Sequence, residues 1–361
     1  MQRYHWFWVI WVPLLLIGLM LSGCQSNSTP SASTNKAQET VPEELPSTIG
    51  LGTFPTGGSS YMVATGVAKV LSDRSPIKVI VKPSAGPVAF NPLLESGELG
   101  LGIESGNDIA WSYNSGPGYE KPYKNMRVLV SGHGNPTVTL SVRLDSGISS
   151  IKELKGKRVA GGYGGFVVGK QCVTATLESV GLTWNDVKEI PVADPSSAVR
   201  ALQERRVDAA FGGQPIGSLN LEIDSATPLH ALNFGDLPAE QADNPPIELV
   251  EVLRKYVPGA SIYRQHKEGF LKSDSTAINF VSWLAASSKL SADAAYEITK
   301  SVYENDKELQ PLHDLLKEWR QETMFDSEQP APYHEGAVRF WKEKGLWTPE
   351  AEENQKRLLG Q

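Results

Sequence analysis

The sequence has 361 residues, of which 40% are hydrophobic and 21% are charged, and its formal net charge is −7 at pH 7. This length allows two domains with a sizeable core. The negative charge, together with the lack of any lysine- or arginine-rich run in the sequence, disfavours a nucleic-acid-binding surface. We therefore expect no nucleic-acid partner.

The first 23 residues have the pattern of a secretory signal. Arg3 precedes an apolar run over residues 6–20, and the sequence Leu-Ser-Gly-Cys ends at Cys24. A positive start, a short apolar stretch and small residues predict a cleaved signal peptide over residues 1–23. The last four residues resemble a bacterial lipobox, which implies an acylated Cys24 that anchors the chain to a lipid bilayer. An uncleaved anchor helix is the alternative, and both place the chain outside the cytoplasm, in the periplasm or at the outer cell surface.

Residues 24–46 are rich in Ser, Thr, Asn, Pro and Glu, and they have almost no apolar residues. Such a segment cannot bury enough surface to fold, so we predict a disordered tether. Once Cys24 is acylated, Cys172 is the only cysteine left, which excludes a disulfide within the mature chain. Cys172 lies in an apolar helical run, and we expect a buried structural thiol.

From residue 49 onward, short apolar strands alternate with amphipathic helices. A helix is predicted over residues 59–71, with Ser59 or Ser60 as its cap. The predicted strands are 49–51, 78–81, 99–103, 127–130, 138–142, 158–160, 189–192 and 207–211. This alternation predicts an α/β fold with mostly parallel sheets.

Two internal similarities indicate that the chain has two lobes. Residues 91–108 and 198–217 share the order helix end, turn, strand and polar loop. Residues 49–60 and 157–169 share a strand, a glycine-rich turn and a helix start. Ligands of open α/β sheets bind where strands end and helices begin, so two such edges that face each other predict a cleft.

The last hundred residues are predicted to be mainly helical. The predicted helices cover residues 291–309, with Ser291 as the cap, residues 312–319, and residues 332–347, which end at Gly345. We expect the aromatic residues of the last helix to pack against the body of the protein.

Seven segments together resemble the solute-binding subunit of a TRAP transporter of the TAXI family. They follow one another in the same order as in that family and cover nearly all of the mature chain. The segments are GTFPTGGSSY (52–61), LESGELGLGIESGND (94–108), VRLDSGISSIKELKGKRVA (142–160), LESVGLTWNDV (177–187), AVRALQERRVDAAF (198–211), PGASIYRQ (258–265) and YHEGAVRFWKEKG (333–345).

The resemblance implies a two-lobed fold of the periplasmic-binding-protein type (type II), with a ligand cleft between the lobes. We expect residues 47–138 and 275–361 to form one lobe and residues 139–274 the other. The family implies a monomer without a cofactor that captures a small carboxylate or amino acid by hinge closure. It then delivers this solute to integral-membrane subunits driven by an ion gradient.

The loop after the first strand is the first candidate for contact with the solute. It contains Thr56, Gly57, Gly58, Ser59, Ser60 and Tyr61. Helix N-termini present unpaired N–H groups and partial positive charge, and glycine lets the backbone approach a ligand closely. These residues predict a grip on a carboxylate or a similar anion. The alternative is a helix cap with an ordinary turn.

The resemblance places further candidates around the cleft. In the first lobe they are Ser84, Glu104, Ser105 and Asn107; in the second they are Gly164, Gly165, Phe166, Val167, Gly213, Gln214 and Tyr263. Relatives often have glutamine at Glu104, whose carboxylate either pairs with an amine on the solute or simply caps a helix. Phe166 and Val167 replace the hydroxyl residues of relatives, which favours a solute with an apolar or aromatic part.

We expect no enzyme activity and no metal site. The histidines are scattered without metal-ligand spacing, and the Gly-x-Ser-x-Gly nucleophile motif is absent from the sequence. Two alternatives to a TRAP receptor are left open. They are the substrate-binding lipoprotein of an ABC importer and a sensory ligand-binding module.

Overall fold

The structure is a computed structural model that describes residues 44–361, apart from the side chains of residues 133, 135 and 136. The predicted signal peptide, Cys24 and residues 24–43 of the predicted tether lie outside the described residues. Residues 44–46 carry no regular secondary structure. Within residues 44–361, no helix is long and apolar enough to cross a membrane.

The predicted alternation of strands and helices is present. The strands are β1 Thr48–Thr53, β2 Lys78–Pro83, β3 Leu101–Ser105, β4 Met126–Thr137, β5 Leu140–Arg143, β6 Arg158–Gly162, β7 Lys188–Val192, β8 Ala209–Ala210, β9 Leu229–Leu232, β10 Ser261–Gln265 and β11 Ser275–Ser287. The helices are α1 Ser59–Arg74, α2 Pro87–Ser96, α3 Gly106–Asn114, α4 Val167–Glu178, α5 Pro195–Gln203, α6 Ser218–Ala226, α7 Ile247–Tyr256, α8 Ala292–Glu304, α9 Asp306–Leu309, α10 Glu335–Glu343 and α11 Pro349–Leu359.

The strands form two sheets, and each sheet carries helices on its faces. The first sheet has the order β10-β11-β3-β1-β2, and β4 also pairs with β11. The second has the order β7-β6-β8-β5-β9. The β1, β2 and β3 strands are parallel, as are β6, β7 and β8, whereas β11 and β5 run antiparallel to their neighbours. The two-lobed α/β fold is confirmed; we call the elements around the first sheet lobe 1 and those around the second lobe 2.

Each lobe has its own hydrophobic core. In lobe 1, buried residues such as Leu51, Leu101 and Trp341 pack between the sheet and its helices. In lobe 2, Val159 and Cys172 belong to the buried set. The thiol of Cys172 is fully buried, which confirms the predicted structural role, and burial raises its pKa.

Two long antiparallel strands, β4 and β11, connect the lobes. Thr137 at the end of β4 pairs with Ile278 of β11, whose side chain packs in the lobe 2 core, whereas Leu284 of the same strand packs in the lobe 1 core. Directly after β4, the N–H of Val138 donates to the C=O of Gly213 (3.2 Å). The sequence-based boundaries at residues 138 and 274 stay a prediction, and β10 pairs with β11 of the first sheet.

Several predicted helix bounds were wrong. The helix predicted over residues 291–309 breaks at Asn305, where α8 ends and α9 begins. Residues 312–319 form short 3₁₀ turns instead of a helix, because Pro311 lacks an N–H and His313 is extended (φ −163°, ψ 149°). By contrast, Ser291 caps α8 as predicted by accepting from Ala294 N–H (3.2 Å).

Candidate functional site

A cavity lies between the two lobes, at the edge where strands end and helices begin. It contains about 580 Å³ of space between the protein atoms, part of which is open to solvent. Its lining residues come from both lobes. They are Phe54, Pro55, Gly57, Gly58, Ser59, Ser60, Thr137, Phe166, Pro195, Ser196, Val199, Phe211, Gly212, Gly213, Gln214, Gly217, Leu219, Asn220 and Phe280.

The loop after β1 supplies one end of this cavity. Gly57 has a left-handed backbone (φ +88°), and Gly58 is the residue before α1. The expected serine cap was wrong: Ser59 and Ser60 are already helical, and no side chain caps α1. The C=O of Gly58 accepts from the N–H groups of Tyr61 (3.1 Å) and Met62 (3.2 Å). Among the described residues, the N–H groups of Ser59 and Ser60 have no hydrogen-bond partner.

Two more helices begin at the cavity. At the start of α5, the carboxylate of Asp194 accepts from Ser197 N–H (2.9 Å), while Ser196 lines the cavity. At the start of α6, the hydroxyl of Ser218 and the N–H of Leu219 donate to the C=O of Gly57 across the cleft (2.9 and 3.3 Å). The starts of α1 and α6 have neither a side-chain cap nor an acidic residue in the first turn, so their partial positive charges stay uncompensated, whereas Asp194 caps α5.

Aromatic rings form the apolar part of the wall. Phe54 of lobe 1 and Phe166 of lobe 2 meet edge to face, with ring centroids 5.0 Å apart. Phe166 also lies beside Phe211 (6.2 Å). Tyr163, behind the wall, fixes Phe211, because its hydroxyl accepts from Phe211 N–H (2.9 Å) and donates to Phe211 C=O (3.1 Å). The cavity thus has polar helix starts and apolar rings in one wall.

The lobes touch next to the cavity. Val88 N–H of lobe 1 donates to Gly165 C=O of lobe 2 (3.4 Å), and a methyl group added to Gly165 would lie 2.2 Å from Ala85 C=O. A methyl group added to Gly118 of lobe 1 would likewise lie 2.2 Å from Val167 Cγ2 of lobe 2. These contacts make the structure a closed form of the cleft. They also explain why glycine is required at Gly165, where the two backbones approach each other.

The structure brings only part of the predicted site residues to the cavity wall. Gly57, Gly58, Ser59, Ser60, Phe166, Gly213 and Gln214 line it. Thr56, Tyr61, Ser84, Glu104, Ser105, Asn107, Gly164, Gly165, Val167 and Tyr263 do not. Several of the latter have structural partners: the Ser84 hydroxyl donates to Thr53 C=O at the end of β1 (3.2 Å), and the Ser105 hydroxyl accepts from Asp108 N–H (3.1 Å).

Two of these residues lie away from the cavity wall, Asn107 buried and Tyr263 exposed. The side-chain amide of Asn107 donates to Pro258 C=O (2.8 Å). Tyr263 is in the middle of β10, opposite Ala277, and its side chain is 37% exposed. Both lie outside the cavity wall in this closed form, and their contact with a solute stays a prediction.

Glu104 is buried in lobe 1, in a polar cluster with Asn91, Asp108 and Tyr119, which we call the buried acidic cluster. The Asn91 amide donates to Glu104 Oε2 (3.0 Å) and to the Tyr119 hydroxyl (3.1 Å). Burial, and secondly the Asp108 carboxyl, raise the pKa of Glu104 well above its ordinary range. Burial raises the pKa of Asp108 to about 7. Within residues 44–361, no group of three or more His, Cys, Asp or Glu side chains is placed to hold a metal ion.

The comparison with known families agrees with this geometry. A model of the NMT1-like family matches residues 51–345, which is most of the chain.

The chain belongs to the NMT1-like family.

The matched residues of this NMT1-like chain include both lobes and the whole cavity wall. Two sheets with flanking helices form two lobes, and residues of both lobes line the cavity. The family match does not distinguish the TAXI branch, which the sequence motifs suggest, from other solute-binding proteins.

Several solved structures are similar to this NMT1-like chain at low identity. The alkanesulfonate-binding protein SsuA from Xanthomonas axonopodis pv. citri, bound to MOPS, is 12% identical over 85% of this chain and 96% of its own (TM-score 0.46). PhnD1 from Prochlorococcus marinus with methylphosphonate is 11% identical over 83% and 99% (TM-score 0.47). A TctC solute-binding protein from Polaromonas is 17% identical over 87% and 98% (TM-score 0.44).

Sequence reasoning missed much of the cavity wall of this NMT1-like chain. It missed Thr137 and Phe280, which come from the connecting strands β4 and β11. It also missed Phe211, which directly follows β8. One signal was readable. The sequence Asp-Pro-Ser at residues 194–196 is a typical helix start after a strand, and it predicts a second helix N-terminus at the cleft edge.

Proposed function

We propose that this chain is an extracytoplasmic solute receptor that captures a small organic anion, of which carboxylates are the first candidates, in the cavity between lobes 1 and 2. The observation that carries the proposal is the composition of the wall. Residues of both lobes line one cavity, and two helices, α1 and α6, begin there with uncompensated N-termini. This arrangement suits an anion that is held by backbone N–H groups and hydroxyls.

Binding and closure are coupled in this proposal. A solute in the cavity contacts lobe 1 through the start of α1 and lobe 2 through Ser196 and Phe166. Because it contacts both lobes only when they are close, the solute favours the closed form. The contacts of Gly57 with Ser218 and of Val88 with Gly165 then hold the closed form together.

The closed receptor would deliver its solute to integral-membrane subunits of an importer. The sequence motifs support a TRAP importer of the TAXI type, which an ion gradient drives. We further propose that acylation of Cys24 anchors the receptor to a membrane outside the cytoplasm, with residues 24–46 as the tether. The receptor acts as a monomer, without a cofactor or a chemical reaction.

A binding screen tests the receptor function. The purified full chain is melted in the presence of carboxylates, sulfonates, amino acids and phosphonates, after native mass spectrometry for co-purified small molecules. A solute that binds the folded chain raises the melting temperature in a saturable way. We expect at least one organic anion to do so. If no solute shifts the melting temperature and no small molecule co-purifies, the receptor function is wrong.

An uptake experiment separates the importer classes. Deletion of the gene should abolish uptake of the solute found in the screen, and a protonophore or sodium ionophore should do the same if a TRAP importer is the partner. An ABC importer would instead require ATP and tolerate loss of the gradient. Unchanged uptake after deletion would support a sensory module and contradict the transport role.

A further inference from the structure

The described part of the cavity wall contains no ionisable side chain, and this restricts the solutes that it can hold. Among the described residues that line it, none is Asp, Glu, Lys, Arg or His. Glu104, which the sequence suggested as a partner for a solute amine, is buried in the acidic cluster and is 2% exposed. The nearest acidic residue in sequence, Asp194, is engaged by Ser197 N–H.

The start of α1 presents unpaired donors to the cavity. The N–H groups of Ser59 and Ser60 lack partners among the residues that the structure describes. The Ser59 side chain is 5% exposed, and its hydroxyl has no hydrogen-bond partner within residues 44–361. A methyl group added to Gly217 of lobe 2 would lie 3.0 Å from Ser59 Oγ, so this hydroxyl points into the gap between the lobes. An oxyanion in the cavity would accept hydrogen bonds from these donors.

Several acceptors at the cavity are already occupied. The C=O of Gly57 accepts from Ser218 and Leu219, and the C=O of Gly213 accepts from Val138. The C=O of Gly212 accepts from the side chain of Asn220 (3.1 Å). An ammonium group brings three donors and no acceptor, so it would meet donors and apolar rings instead of a carboxylate.

From this wall we infer that the receptor selects monoanions that carry no ammonium group, with a carboxylate or sulfonate head at the start of α1 and an uncharged apolar body between Phe54, Phe166 and Phe211. The inference rests on the proposed receptor function and names its substrate class. It excludes amino acids, which the sequence resemblance had offered as cargo. A zwitterion would have to bury its ammonium group without a counter-ion, which costs several kcal/mol by order of magnitude.

Matched compounds test the inference by calorimetric titration of the full chain. 3-Phenylpropanoate and phenylalanine share the carboxylate and the ring and differ only in the ammonium group; 4-methylpentanoate and leucine form a second pair. The amide of 3-phenylpropanoate removes the charge, and 2-phenylethanesulfonate replaces the head. We expect at least one anion to bind about 100-fold or more tightly than its amino analogue, and the neutral amide to bind as weakly as the amino analogue.

A variant pair tests whether the wall sets this preference. Ser196→Asp places a carboxylate in the wall, in the first turn of α5, where the helix dipole tolerates it. It should weaken binding of the plain acid and strengthen binding of the amino acid. Gln203→Glu adds the same charge at the other end of α5, outside the wall, and should change neither.

The outcomes separate this inference from the receptor function. The inference is wrong if an amino acid binds as tightly as its plain acid, if the amide binds as tightly as the acid, or if amino acids bind while all three anion probes fail. If no compound in either panel binds, the receptor function itself fails. A sulfonate that binds more tightly than the carboxylate supports the inference and identifies the head group.

Discussion

Two polar regions of lobe 1 differ in their hydrogen-bonding groups: one has free donors and the other has free acceptors. The start of α1 has donors without acceptors, namely the N–H groups of Ser59 and Ser60 and the Ser59 hydroxyl. The buried acidic cluster has acceptors without donors: Asn91 Oδ1, Glu104 Oε1 and Asp108 Oδ1 are buried and lack partners among the described residues. The first region is open to the cavity and suits an anion. The second is sealed in the protein and suits protons on its carboxyl groups.

This difference teaches that a carboxylate near a cleft need not face the ligand. Like the loop after β1, Glu104 lies where a strand ends and a helix begins. Asn91 of α2 and Tyr119 nevertheless hold it inside lobe 1. The charges acting on Glu104 and Asp108 include no cation, so burial favours their neutral forms. Tyr119 and Cys172 are the other titratable groups around the cluster, and burial raises the pKa of both.

The largest expected effect comes from reversing the chemistry of the first region. Ser59→Asp places a carboxylate among the free N–H groups, where it occupies them itself and repels an anionic solute. Two like charges about 4 Å apart near a protein surface repel by about 4 kcal/mol, so affinity should fall about 1,000-fold. Ser59→Ala is the matched control and should cost about 10-fold, as one lost hydrogen bond. Unchanged anion affinity in Ser59→Asp, measured by calorimetry, would remove α1 from the site.

The second region should respond to pH instead of to solute. The pKa of Asp108 is about 7 in the folded chain and about 4 in the unfolded chain. The folded state therefore binds more protons between these values, and its stability is full below pH ~4 and is lost as the pH rises through 7. Asp108→Asn should remove this loss and gain about 2–4 kcal/mol at pH 8, with no gain at pH 4.

Melting temperatures across this pH range check the prediction for Asp108. The exposed Glu120, next to Tyr119, offers a control, because Glu120→Gln should leave the pH profile unchanged. A variant with Asp108→Asn that loses stability with rising pH as steeply as the parent chain would show that this carboxyl is ionised in the folded protein.

The third effect concerns closure of the two lobes. Gly165→Ala would bring a methyl group to 2.2 Å from Ala85 C=O, so the lobes could not close fully. Solute affinity should fall about 10- to 100-fold while the melting temperature without solute changes little. Gly164→Ala is the neighbouring control, because an added methyl group there meets no atom within 4 Å. Equal affinities of the two variants would show that the Gly165 contact plays no part in binding.

The smallest effect is expected behind the apolar wall. Tyr163→Phe removes the hydroxyl that bonds both backbone groups of Phe211 and leaves a buried N–H unpaired. This should cost about 1–3 kcal/mol of unfolding free energy, measured in denaturant. It should weaken solute binding only slightly, because the ring of Phe211 stays in the wall. A large loss of affinity with unchanged stability would point to direct contact of Tyr163 with the solute.

Local features of the fold were readable from the sequence. Ser291 before an apolar periodic run predicts its cap, and the apolar run around Cys172 predicts burial; the structure confirms both. The glycine-rich loop at Gly57 and Gly58 also lies at the cavity, as its position between a strand and a helix indicated. Such features depend on neighbours a few residues away, which the sequence displays directly.

Features that depend on distant segments were not readable. Phe280 reaches the cavity through β11, which is about 140 residues from its partner strand β4 in the chain. The burial of Glu104 depends on Asn91 and Tyr119, and nothing around Glu104 in the sequence shows that their side chains meet it. The start of α1 at residue 59 was predicted, but its cap was misjudged, because glycine and serine are both accepted before a helix.

The account depends most directly on a solute-driven change of shape. Small-angle X-ray scattering of the full chain, with and without saturating 3-phenylpropanoate or the tightest anion from the screen, measures it. The account predicts a smaller radius of gyration with the anion in the parent chain and in Gly164→Ala, and a smaller decrease in Gly165→Ala. Saturable binding with an unchanged radius of gyration in all three chains would contradict capture by closure of the two lobes.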